Sequence, residues 1–260
     1  MSFWKNRQLI LQLTKREIAG RYRGSYLGIV WSFLTPLFML FIYTFVFSVV
    51  FQAKWNTGTG SKLEFAFIIF SGIIAFNVFS EVLSSAPSLI TSNSNYVKKI
   101  VFPLEILVIV KLCSSLFHAF INTLILFFGL FLFMNIVNWT VLFLPVVLLP
   151  LSLITLGIGW FLASLGTYFR DIGHFIGIII SALMFLSPIF YPVSNIPEDF
   201  QAIYYFNPLS YVVEDMRQIL VFGQTPDWNW IIWGSLIGVG ISALGFLWFN
   251  KTRGGFADVL

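Results

Sequence analysis

Charge is what this chain has least of. Asp, Glu, Lys and Arg make up 10% of its 260 residues, where soluble domains carry about 25%. A chain so short of charge cannot cover itself with a solvated surface. That excludes a soluble enzyme, a nucleic-acid binder and a disordered scaffold together. Cysteine is nearly absent too. Cys113 stands alone inside an apolar run, so no intramolecular disulfide can form and the residue reads as a small hydrophobe. With two histidines and one cysteine there is no metal-ligand spacing, and the expectation is that the chain binds no metal and no cofactor of its own. No G-x-x-x-x-G-K-[ST] occurs; Gly58-Thr-Gly-Ser-Lys62 has the wrong spacing, so no P-loop cradles a nucleotide. Intramembrane carboxylates, which proton-coupled transporters use, are scarce: Glu81 and Glu105 come near, both toward span ends. No Asp, Glu or His cluster converges as a membrane transferase would need. The chain is expected not to be an enzyme. Nor does the N-terminus read as a signal peptide, because the first apolar run, starting near Leu27, is too long.

What the chain has is apolar length. Hydrophobic residues make up 58%, aromatics 19%, with 31 Phe, and mean hydropathy is +0.89. Crossing ~30 Å of hydrocarbon takes about 20 helical residues. Six stretches meet that requirement: Leu27–Phe51, Leu63–Leu83, Leu104–Met134, Thr140–Gly166, Gly173–Phe190 and Asn229–Asn250. Trp31, Trp55, Trp139, Trp160, Trp228, Trp230, Trp233 and Trp248 fall near their ends, as an interfacial belt requires. With the N-terminus inside, eleven basic residues lie on the cytoplasmic side: Lys5, Arg7, Lys15, Arg16, Arg21, Arg23, Lys98, Lys99, Arg170, Lys251 and Arg253. Lys54, Lys62 and Arg217 lie outside, and Lys111 lies within a span. This asymmetry places both termini in the cytoplasm. The loops leave no room for a soluble domain, so residues 1–260 are predicted to form one all-α polytopic membrane domain.

Three segments between the spans carry their own pattern. In residues 2–24, Trp4, Leu11, Ile18 and Tyr22 recur among six basic residues, the mark of an interfacial amphipathic helix or of a basic tail on anionic lipid. Gly24 and Gly28 then allow a turn into the first span. Residues 84–103 form the longest inner loop. Pro87 opens a short helix through Ile90 to Ser92, and Asn93-Ser94-Asn95 breaks it. This loop either docks on something soluble or is a solvated connector. Residues 191–227 lie outside yet are apolar. Asn207-Pro208 is a helix start, Leu209, Val212, Val213, Met216 and Leu220 follow at helical spacing, and Gly223 is a stop. This helix either re-enters the outer leaflet packed on protein or rests on the lipid surface.

Polar residues inside spans need a reason. Lys111, Ser115, His118 and Asn122 share one face of the third span; Ser32, Thr35, Met39 and Tyr43 share one face of the first, with Pro36 as a kink. Each stripe either joins helices by hydrogen bonds or lines a pore. Gly173, Gly177 and Ser181, and Gly234, Gly238 and Ser242, are small-residue stripes of the kind that mark close packing.

Read in order, Arg16-Glu17, Arg21-Tyr22-Arg23-Gly24-Ser25-Tyr26-Leu27-Gly28 and Trp31-Ser32-Phe33-Leu34-Thr35-Pro36 resemble the opening of ABC-type polysaccharide export permeases. Lys98-Lys99-Ile100-Val101-Phe102-Pro103, Tyr168-Phe169-Arg170-Asp171, Ser187-Pro188-Ile189-Phe190-Tyr191-Pro192, Asn207-Pro208-Leu209 and Phe256-Ala257-Asp258-Val259-Leu260 continue the likeness along the whole chain. Within that family it is most similar to O-antigen (lipopolysaccharide) exporter subunits of the Wzm type, with capsule and teichoic-acid permeases also similar. The resemblance implies a six-span homodimer in the bacterial inner membrane, paired with two copies of a nucleotide-binding ATPase subunit that holds ATP and Mg. It implies a channel for undecaprenyl-diphosphate-linked polysaccharide. On that basis Arg16, Arg21, Tyr22, Arg23 and Tyr26 are candidates for where substrate enters. Ser32, Thr35, Met39, Tyr43, His118 and Asn122 are candidates for the channel wall, and Ser88, Leu89, Ile90, Ser92 and Asn93 for coupling to the ATPase. Tyr191, Asn207, Pro208, Tyr211, Glu214 and Arg217 are candidates for an outer gate. A secondary transporter and a lipid-sugar transferase remain the other classes.

Overall fold

The structure is a computed structural model that describes residues 5–22, 24–50, 62–98 and 102–260. Among these residues there are eleven α-helices and no strand. Four helical stretches are long and apolar enough to cross a membrane: Leu63–Ser88, Ile106–Met134, Trp139–Tyr168 and Trp228–Val259. Two further apolar helices are shorter, Trp31–Val46 and Ile172–Leu186.

The chain opens with α1 (Arg7–Arg21). Gly24 and Gly28 then adopt φ of +87° and +51°, a left-handed backbone that side chains with a Cβ resist. The chain thus turns where the sequence placed the bend. α2 (Trp31–Tyr43) carries Pro36 within it and relaxes into a wider π turn over Thr44–Val50. α3 (Lys62–Ser85) is the central pillar. It is the most buried of the four long stretches, at 83% against 33%, 44% and 22%, and its Ile68, Ile69, Ile74 and Val78 are sealed in the main core. α5 (Ile106–Met134) and α6 (Leu144–Tyr168) follow. Asn135, with φ +55°, ends α5 by a left-handed cap.

The closest helix pair is α6 with α10 (Trp228–Thr252). A Cβ at Gly157 would sit 2.4 Å from the Ile241 carbonyl oxygen, and one at Gly245 would sit 2.1 Å from the Gly157 oxygen. Only glycine permits this approach, and the Ser242 hydroxyl donates across it to the Leu153 oxygen at 2.6 Å. The Gly234–Gly238–Ser242 stripe therefore packs within the chain. On the stripe of α7 (Ile172–Leu186), a Cβ at Gly173 would meet the Pro87 side chain at 3.9 Å, while nothing lies within 4 Å of one at Gly177.

The inner loop departs from the expected short helix. After α3 come two 3-10 turns, Ala86–Ser88 and Thr91–Asn93, and then α4 (Ser94–Lys98). Asn93-Ser94-Asn95 thus begins a helix instead of breaking one. The Asn93 amide donates to the Leu89 oxygen at 2.9 Å, supporting the turn from its own side chain.

The outer segment contains two helices, α8 (Glu198–Phe206) and α9 (Pro208–Arg217), the second continuing as a π turn over Gln218–Phe222. Asn207 caps α9 by accepting from the Leu209 N–H, and Gly223, at φ +66°, stops the helical run. The chain ends in α11 (Phe256–Val259), whose Phe256 is buried against Phe249 and Tyr168.

Candidate functional site

A cavity of about 550 Å³ lies between α2, α3, α5 and α7, reached at one end by the last turn of α1. The six residues proposed for a channel wall, Ser32, Thr35, Met39, Tyr43, His118 and Asn122, all line it. Arg21 and Tyr22 from the α1 end line it as well. Two stripes recognised separately on two helices thus face one space. The helix α3 adds a third stripe that the sequence reading passed over: Asn77, Ser80, Glu81 and Ser84. Their spacing of three, four and seven residues puts them on one face. That spacing was available in the sequence, but Glu81 was weighed there only as a carboxylate near a span end.

At the α1 end of the cavity three titratable groups meet. Arg21 Nη1 donates to Glu81 Oε1 at 2.6 Å and approaches His118 Nδ1 at 2.9 Å, and Glu81 Oε2 lies 3.3 Å from the same nitrogen. Tyr22 sets its ring edge-on to His118, with centroids 6.3 Å apart. Burial pushes the Tyr22 phenol above its usual range; Arg21 pulls it back and Glu81 adds to the rise.

These contacts follow from how α1 is docked. Leu13 is buried against Ile106 and Val110, Glu17 pairs with Lys111, and Arg21 reaches His118. Positions 13, 17 and 21 recur every four residues, so one face of α1 packs lengthwise on the start of α5. The expected stripe of Leu11, Ile18 and Tyr22 is not this face, and Leu11 is 58% exposed. The ion pairs, invisible to an apolar-periodicity argument, decide the orientation. They also give Lys111 a protein partner. Arg16 stands apart from the cavity, with its guanidinium over the Tyr96 ring at 5.9 Å. Tyr26 is fully exposed. Arg23 lies outside the described residues, as do Trp55 and Lys99.

The outer candidates form a second cluster. α7 ends where Ser187 turns extended before Pro188, leaving carbonyls without helical donors. Side chains supply them. Tyr191 donates to the Phe185 oxygen. Asn207 donates to the Leu186 oxygen at 3.3 Å and to Ser187 Oγ at 3.0 Å. Arg217, with no exposed surface, donates to the Pro188 oxygen, to the Ile189 oxygen at 2.7 Å and to Glu214 Oε2 at 3.1 Å. Asn207 and Arg217 are thereby fixed as ties between α9 and α7. Tyr211 stacks on Trp230, with centroids 4.3 Å apart. Burial, with a hydrogen bond shared with the Tyr204 hydroxyl, pushes the Tyr191 phenol far up. Burial pushes the Asp215 carboxyl up to about 7, against the pull of the Asp227 N–H that donates to it.

On the inner loop, Ser88 and Ser92 are exposed and Asn93 is half-buried, whereas Leu89 and Ile90 are buried in the core. Those two hold the loop to the protein. Gly166 and Pro87 meet so closely that a Cβ would fall 2.1 Å from the Pro87 oxygen. Ser88 and Thr91 share a polar groove of about 450 Å³ with Arg170 and His174. The 84–103 loop and the turn at Arg170 thus form one surface. Among the described residues no three His, Cys, Asp or Glu side chains are placed to hold a metal ion.

This helical arrangement, with four apolar stretches of membrane-crossing length and a cavity walled by two of them and the two shorter apolar helices, is that of a multi-pass membrane protein. Residues 8–221 match the ABC-2 type transporter family, and the chain belongs to it. It is 27% identical over 230 residues to the O-antigen export system permease protein RfbA of Myxococcus xanthus, covering 86% of this chain and 84% of that protein. It is 25% identical over 254 residues to the Klebsiella pneumoniae protein of the same name, covering 97% and 95%. Against the polysialic acid transport protein KpsM of Escherichia coli it is 26% identical over 224 residues, covering 82% and 81%.

Proposed function

We propose that this chain is the membrane-spanning subunit of an ABC exporter that moves undecaprenyl-diphosphate-linked O-antigen polysaccharide out of the cytoplasm. A separate subunit binds ATP and Mg and supplies the energy, and this chain hydrolyses no ATP. The observation that carries the reading is the cavity: hydroxyls, amides and aromatic rings from α2, α3 and α5 face one space beside the Arg21 end of α1. Aromatic rings and dispersed hydroxyls give a polymer broad contact and few strong bonds, which suits sliding. The relatives named for O-antigen export agree with this substrate. The relative named for polysialic acid transport supports capsular polysaccharide as the second reading.

In this account α2 with its π turn and α7 with the extended residues after it each complete a crossing, giving six spans with both termini in the cytoplasm. Two copies pair, and the open face of α7 around Gly177 and the exposed apolar side of α2 are the surfaces available for pairing. Arg21 and Tyr22 lie at the cytoplasmic mouth, where the lipid-linked substrate enters. The groove of Ser88, Thr91, Arg170 and His174 receives the ATPase, and α8 and α9 form a re-entrant outer gate. Co-expression with a candidate ATPase subunit tests the assignment. The two proteins copurify, and the ATPase leaves the complex when Ser88 and Arg170 are both replaced by Glu. Copurification unchanged by those replacements contradicts the docking surface, and no association with any ATPase contradicts the function.

A further inference from the structure

The Arg21–Glu81–His118 cluster has a chemistry of its own. Glu81 is the only carboxylate, and Arg21 the only arginine, among the described residues lining the 550 Å³ cavity. The Arg21 side chain is 51% exposed, Glu81 26% and His118 12%. The guanidinium therefore sits at the accessible side, the imidazole at the sealed side and the carboxylate between them.

We propose that Arg21 is an oxyanion-binding residue and that Glu81 is its internal placeholder, exchanged for a phosphate or carboxylate group of the transported molecule. This rests on the reading of the cavity as the substrate route. A neutral sugar cannot displace Glu81, because it would leave a guanidinium and a carboxylate unpaired in a partly dry site. An anion can. Arg21 transfers from the carboxylate to the incoming oxyanion, whose planar or forked oxygens its donors match. Glu81 does not become orphaned, since its second oxygen already lies 3.3 Å from His118. The exchange also frees the last turn of α1 from α3, while Glu17 and Lys111 keep its earlier turns on α5.

The sign of one substitution separates this from a structural salt bridge. The full chain in nanodiscs of neutral lipid is titrated with three probes: farnesyl diphosphate, inorganic diphosphate and glucuronate. Glu81→Gln removes the competitor, and binding of the favoured probe tightens about tenfold; Arg21→Gln weakens it tenfold or more. Glu81→Asp, which draws the carboxylate back while keeping its charge, also tightens it. Glu17→Gln, which loosens α1 away from the cluster, changes affinity less than twofold. The probe that follows this pattern identifies the source: a lipid headgroup, free diphosphate or a sugar acid. If Glu81→Gln and Glu81→Asp weaken binding, or if no probe responds to Arg21→Gln, the proposal is overturned. Surface polysaccharide in cells carrying the wild-type chain reports the export reading separately. Export without the exchange pattern rejects the placeholder alone, and the exchange pattern without export rejects the export reading alone.

Discussion

Arg217 shows how a single charge is made tolerable inside a membrane protein. It is wholly buried and surrounded by acceptors: two carbonyl oxygens at 188 and 189 and the Glu214 carboxylate. The sequence suggested the pairing with Glu214 from their spacing. It did not suggest the carbonyls, because those become available only when Pro188 ends α7. Arg217→Met removes donors from three acceptors at once and lowers unfolding stability in detergent by on the order of 3 kcal/mol. Arg217→Lys recovers less than half of it, since one ammonium cannot reproduce the planar fork. An unchanged denaturation midpoint in Arg217→Met would show that the ties between α9 and α7 carry no energy. Asp215 gives a pH signature. Its carboxyl is pushed up to about 7 in the folded chain, so between the ordinary aspartate range and that value the folded state holds a proton the unfolded state has lost. Stability contributed by this group is present at low pH and is lost as pH rises toward 7. Asp215→Asn flattens the stability-versus-pH curve between about pH 4 and 7 relative to wild type; equal slopes would remove Asp215 as its source.

At the scale of elements, the long apolar stretches were legible because length and hydropathy alone define them. α3, α5, α6 and α10 begin and end within a few residues of their expected bounds. The elements that differ are those whose shape is decided by contacts far along the chain. α1 takes its orientation from Lys111 and His118, and the inner loop is pinned by Leu89 and Ile90 in the core. Two stripes of small residues look alike in sequence, yet the one on α10 is consumed against α6 and the one on α7 is open at Gly177. That difference predicts different sensitivities. Gly157→Leu forces α6 and α10 apart at a point of backbone contact and costs about 2 kcal/mol or more, read as loss of monodisperse protein on gel filtration and a lowered Tm. Gly177→Leu leaves the single chain as stable as wild type and instead weakens self-association, measured by cross-linking in the membrane. Equal loss of folded protein in both variants would contradict the assignment of the two faces.

For the whole molecule, the cavity wall was legible in parts and not as a site. Helical spacing picked out the polar stripes on α2 and α5, while their meeting with Glu81 and Arg21 depends on tertiary packing that no periodicity contains. Orientation is open to direct measurement. A single cysteine at position 227, in a chain whose Cys113 is replaced by Ala, reacts with a membrane-impermeant maleimide in intact spheroplasts, and one at position 15 reacts only after permeabilisation; the reverse pattern would invert the chain. The central claim, that this chain is the route by which an ATPase drives a lipid-linked polysaccharide across the membrane, is tested most directly in inverted membrane vesicles. Purified lipid-linked polysaccharide is added outside, and its protection from a glycan-degrading enzyme is followed. Protection appears only with ATP and only when both this chain and its ATPase are present, and it is lost when the ATPase alone is inactivated. Protection that proceeds without ATP hydrolysis, or in vesicles lacking this chain, would contradict the account.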